Sequence, residues 1–152
     1  MGRDIHVKIL KKNKNLELWE PVVLYKKENG EFKEINFITY RDQDLFNILL
    51  GDSDTFFPFS PLNEANIAEP LRKEIEKKRG IIGYYGFCEA NLADVRIYLQ
   101  ENPKIKSDYT EEEIINPVEH LVDIVYKVLN IAQEYDVPWY DSQIRIIYWF
   151  DC

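Results

Sequence analysis

Two histidines and two cysteines are the chain's whole supply of imidazole and thiol. Chemistry near neutral pH must therefore be built around very few positions. Asp4 and His6 stand two residues apart in the alternating segment Asp4-Ile5-His6-Val7-Lys8-Ile9. In a strand that spacing puts carboxylate and imidazole on one face, where they can share a proton or a metal ion. The plain reading of the same pair is a structural contact on the polar face of a strand. His120, the other histidine, lies beside rather than within the apolar stripe of a predicted helix, which is a solvent-side position.

A metal site in this chain would draw most of its ligands from carboxylates such as Asp42, Asp44, Glu89 or Asp94. Oxygen-rich ligation favours magnesium or manganese over zinc. Arg41 and Asp44, at the start of a short predicted helix, join Asp4 and His6 as candidate catalytic residues, with Asp4 and His6 the candidate metal ligands. Together they would serve a small metal-dependent hydrolase or nucleotide-handling enzyme. The plainer reading of Arg41 and Asp44, and the favoured one, is a local ion pair at a helix start. Cys88 next to Glu89 has the types of a nucleophile and a base, but its neighbours Gly83-Tyr84-Tyr85-Gly86-Phe87 read as packing. The chain carries no GxSxG, P-loop, HExxH, strand-associated GxGxxG or CxxC spacing, and no residue set names a cofactor. Trp139 and Tyr140, in the Pro138-Trp139-Tyr140-Asp141 turn, can be exposed anchors for a partner protein or a cover for the last strand.

The elements that must position these residues are legible from periodicity. Ile5, Val7 and Ile9 predict a strand over about residues 3–11. Leu16 to Lys26, interrupted by Pro21, and Phe32 to Ile38, after the Asn29-Gly30 turn, complete an expected three-stranded antiparallel meander. Asp42 is placed to cap a short helix closed by Gly51. Further helices are expected over about 67–79, with Pro70 in the first turn, and over about 90–101, ended by Asn102-Pro103. Residues 81–88 fit a short strand or a close-packed loop. Thr110 to Glu113 reads as a capping box opening a long helix with apolar positions at Ile114, Val118, Leu121, Val122, Val125, Val128, Leu129 and Ala132. Gln143 to Asp151 is apolar on both faces, as in a central strand covered by two layers, and is expected to pair with the first strand. The fold expected is α+β: a mostly antiparallel sheet, made of the N-terminal meander and the C-terminal strand, packed by the long C-terminal-half helix and shorter ones.

With 152 residues, one domain over 1–152 is expected. A net charge of -8 repels phosphate backbones, so nucleic acid is not an expected partner. No apolar run approaches the roughly 20 residues that cross a bilayer. A reduced pair of cysteines and a cytoplasmic location are expected, and nothing marks a symmetric homo-oligomer interface.

Gly2, Asp4, Ile5 and His6 resemble the start of a group of uncharacterised phage and prophage proteins that open Met-Gly-x-Asp-Ile-His. Arg41, Asp44, Leu45, Phe46, Leu49 and Gly51 are similar to a second block of that group, so the resemblance spans about residues 1–51. Members often carry a later block with histidine and serine, whereas Gly86 to Asp94 here has no histidine. The resemblance implies a phage-borne accessory protein and brings no catalytic residue with it. Taken together, the sequence predicts an acidic protein that acts by binding another protein, with the metal-dependent enzyme as the alternative.

Overall fold

The computed structural model describes residues 4–13, 15, 17–23, 25–34, 39–40, 42–133 and 140–151. Arg41, Pro138 and Trp139, named above, lie outside them, and so does Cys152, the second cysteine. In chain order the strands are β1 (Asp4–Asn13), β2 (Leu18–Pro21), β3 (Tyr25–Glu28), β4 (Glu31–Glu34), β5 (Thr39–Tyr40), β6 (Ser60–Pro61), β7 (Tyr84–Asn91), β8 (Lys104–Lys106), β9 (Glu113–Ile115) and β10 (Ile144–Asp151). The helices are α1 (Gln43–Leu49), α2 (Glu69–Arg79), α3 (Leu92–Glu101) and α4 (Val118–Gln133).

The architecture is α+β, as the periodicities require. The main sheet is antiparallel and runs β2-β1-β10-β7-β6, with β5 also paired to β1. The first and last strands meet at its centre, Asp4 opposite Asp151 and Lys11 opposite Ile144. Apolar side chains alternate to both sides of β10. Ile144, Ile146, Tyr148 and Phe150 enter a core with α1, α3 and α4, while Ile147 and Trp149 enter a second core with Leu71 and Ile75 of α2. No helix among the described residues is long and apolar enough to cross a membrane.

Two local expectations change. The N-terminal strands do not form one meander: β1 and β2 pair, while β3 and β4 form a separate hairpin around Asn29-Gly30, both residues at positive φ. Pro21, opposite Leu10, has no N–H to give the ladder, and one further bond, from the Val22 N–H to the Ile9 carbonyl, follows it. The long helix does not open at Thr110. Glu113 to Ile115 pairs with β8, and Val118 donates its N–H to the Asn116 side chain, so Asn116 is the cap and Pro117 occupies the first helical position. A proline in that position carries no N–H that the helix would leave unbonded. Asn116 is fully buried and also donates to Tyr98 Oη and the Asn102 carbonyl, locking α4 to the end of α3. The stripe from Val118 to Leu129 is buried as its spacing demands.

The undecided stretch before Ala90 is a strand with a bulge. Between the pairs Tyr148–Cys88 and Phe150–Tyr85, two residues, Gly86 and Phe87, stand opposite Trp149. Gly86 has φ +68°, and a Cβ there would lie 2.7 Å from the Phe150 ring. The bulge thus needs glycine twice over, for the dihedral and for the space.

Candidate functional site

Register places the candidate site on the α2 side of the sheet. Residues directly opposite in an antiparallel pair share a face, so Asp4, Asp151 and Tyr84 form one cross-strand row. The next row is His6, Trp149 and Phe87. The His6 ring stacks on Trp149 at 5.6 Å and 12°, and Phe87 stacks on the other side at 5.7 Å and 15°. Tyr84 leans toward His6 with 5.7 Å between ring centres. The last turn of α2 delivers cations onto this row: Lys78 Nζ lies 4.7 Å from the Trp149 centroid and the Arg79 guanidinium 4.9 Å from that of Phe87. Cations at a helix C-terminus also meet the negative end of its dipole.

His6 Nε2 lies 2.5 Å from Asp151 Oδ2. A carboxylate only accepts, so Nε2 carries the proton and donates it. The two side chains are 21% and 25% exposed, which keeps the pair in reach of solvent. Nδ1 has no hydrogen-bond partner among the described residues, and it is not buried away from water. Trp149 Nε1 is a buried donor without a partner among the described residues.

Farther along the same face, Arg145 donates to Glu89 at 2.8 Å and lies 4.3 Å from the centre of the Trp19 ring. Burial pushes the Glu89 carboxyl above the ordinary glutamate range, against the opposing pull of Arg145 and of an Asn63 backbone N–H. Lys8 pairs with Glu74 of α2 at 3.3 Å, and Lys78 reaches the same carboxylate at 3.4 Å.

The nominated residues separate. Asp4 and His6 share the face of β1, with Asp151 directly across from Asp4. Asp44 is on α1, whose buried residues join the opposite core, and it accepts from Ser107 Oγ at 2.9 Å and the Asp108 N–H at 3.3 Å. It anchors a turn rather than facing His6. Asp42 caps α1 by accepting from the Leu45 N–H. Among the described residues no three histidine, cysteine, aspartate or glutamate side chains come together to hold a metal ion.

Cys88 is on the opposite face beside Tyr148, and burial raises its thiol, the reverse of what a nucleophile needs. His120 is exposed on α4. Tyr140 is 72% exposed.

Asp151, Trp149, Lys78 and Arg145 complete the face, and sequence reading did not nominate them. Only the alternation of β10 hinted at Asp151, two positions from Trp149. Its approach to His6, 145 residues earlier, depends on the β1–β10 register. Comparison with protein-family models, with curated proteins and with solved structures gives no match for this chain.

Proposed function

We propose that this protein is an acidic accessory protein of the phage or prophage type that works in the cytoplasm by binding another protein. The observation that carries this reading is the exposure of large apolar side chains on its loops. Phe56 is 95% exposed, Ile82 is fully exposed and Tyr140 projects from the turn before β10. Burying such a side chain is worth roughly 1.5–3 kcal/mol. Folding leaves that gain unclaimed here, and a partner surface can take it. The net charge of -8 favours a partner with a basic rim and disfavours nucleic acid.

The test is affinity purification from the cells in which the protein is made, comparing the parent with Phe56→Ser and Ile82→Ser. Each replacement is at the surface and should change stability by no more than about 0.5 kcal/mol. The expected result is a partner retained by the parent and lost from a variant whose melting temperature is unchanged. A parent that retains nothing specific, or variants that retain everything, would sink the reading.

A second reading is a small metal-dependent hydrolase or nucleotide-handling enzyme using Asp4 and His6. It is favoured by one observation, the orientation of the His6 imidazole by a carboxylate with its other nitrogen left open.

A further inference from the structure

The polar clusters of this molecule differ in whether they are closed. Asp141 accepts from Arg96 and from Tyr126. Glu89 is held by Arg145 and by the Asn63 backbone, with Arg145 also spread over Trp19. Asn116 spends its side chain on Tyr98, Asn102 and Val118. His6 is the exception. One nitrogen is fixed on Asp151, the ring plane is fixed against Trp149, and the second nitrogen meets solvent.

We propose that His6 is a general base working through Nδ1, with Asp151 as its positioning residue, for the hydrolysis of a small ester that meets the solvent-side edge of its ring. The inference rests on this chain being an enzyme, and it puts a water activated by His6 where that reading has a metal ion. Three features of the site support it. The carboxylate fixes the tautomer, because Nε2–H must point at Asp151 and Nδ1 must then carry the lone pair. The stack on Trp149 removes ring rotation, so that lone pair has a defined direction. Asp151, Trp149 and Tyr84 lie against His6 and none of them hydrogen-bonds Nδ1, which leaves that nitrogen open to a water from the solvent side.

The step balances. Nδ1 takes one proton from water as the water oxygen bonds to the acyl carbon. The imidazolium keeps Nε2–H on Asp151, whose negative charge offsets the new positive one. The acyl carbon to alkoxy oxygen bond then breaks, and the leaving alkoxide recovers the proton from Nδ1, giving acid and alcohol with the base regenerated. Asp151 touches only the imidazole, so its contribution is orientation and charge.

The probe is p-nitrophenyl acetate, with the parent compared to His6→Gln, Asp151→Asn and the remote control His120→Gln. Positioned general bases contribute on the order of 100-fold or more. The parent and His120→Gln should therefore hydrolyse the ester about 100-fold faster than His6→Gln, with Asp151→Asn between them. Because Asp151 ties two central strands, long-range proton–nitrogen spectra of the unmodified protein give a second measure that no variant's folding can confound. The expected spectrum places the proton on Nε2 and the lone pair on Nδ1.

A spectrum with the proton on Nδ1 overturns the dyad assignment itself. The expected tautomer with equal rates for parent and His6→Gln overturns the proposal and leaves the metal-dependent reading standing. A folded Asp151→Asn with the parent's rate and the same tautomer removes Asp151 from its role and overturns the proposal as stated.

Discussion

The two faces of the central sheet are packed by different means. On one face α1, α3 and α4 cover Ile5, Val7, Ile9, Ile146, Tyr148 and Phe150, nearly all of them fully buried apolar groups. The Tyr148 hydroxyl donates to the Leu49 carbonyl, and burial drives its acidity far below that of ordinary tyrosine. On the other face the single helix α2 covers a mixture in which Leu10, Trp19, Ile147 and Trp149 alternate with Lys8, His6, Glu89 and Arg145. A dry face supplies stability, because area removed from water is its main resource. A face built from half-buried charges and stacked rings is a poorer source of stability and the better place for chemistry, since its groups stay in contact with solvent and with each other.

The sharpest way to break the comparison is to damage the dry face. Leu121 of α4 is fully buried in the three-helix core. Leu121→Ala should cost about 3 kcal/mol, a transfer loss plus the cavity left behind. Urea unfolding followed by far-UV circular dichroism should show the midpoint falling while the His6 signals of the folded state keep their positions. A shift of those signals at low denaturant would mean that the two faces are not independent.

Gly86 tests the seam between them. Its bulge lets Phe87 stack on Trp149 on one face while Phe150 fills the space above Gly86 on the other. Gly86→Ala puts a Cβ against the Phe150 ring in a dihedral region that L residues rarely adopt, so a loss of about 2 kcal/mol is expected. Unlike Leu121→Ala, it should move the Trp149 indole resonance as well as the unfolding midpoint.

What the sequence disclosed follows the same division. The dry face was legible because it is written in periods. Val118, Leu121, Val125 and Val128 repeat at helical spacing, and Ile144, Ile146, Tyr148 and Phe150 repeat at strand spacing. Local cues misled where two local structures competed for one segment. Thr110 and Glu113 make a sound capping box, yet Glu113 to Ile115 gains more by pairing with β8, and Asn116-Pro117 supplies an equally good helix start. The candidate site was half legible. Asp4 and His6 advertise a shared face by spacing alone, but the carboxylate that holds His6 arrives from the other end of the chain. Asp44 read as a companion of His6 because it is a carboxylate on a nearby element in sequence. The sheet puts its helix on the opposite side, where Ser107 and the Asp108 N–H claim it.

The smallest expected effect is also the one most specific to the charged face. Glu89 sits across from Ile147, and its carboxyl is raised because burial outweighs the pull of Arg145. A carboxyl whose folded value lies above its unfolded value binds its proton more tightly in the folded chain. Its favourable contribution is therefore complete below the unfolded value and is lost as pH rises through the folded one. In the window that opens at the ordinary glutamate value and closes at the raised folded one, Glu89 alone makes stability decline with rising pH. Glu89→Gln cannot lose a proton, so the difference in urea midpoint between variant and parent should grow in the variant's favour across that window. Above it the variant should show a constant offset, set by an Arg145 whose partner is now neutral. A difference that instead grows in the parent's favour with rising pH would mean that Arg145 outweighs burial, and that this face is held together by its ion pair rather than in spite of it.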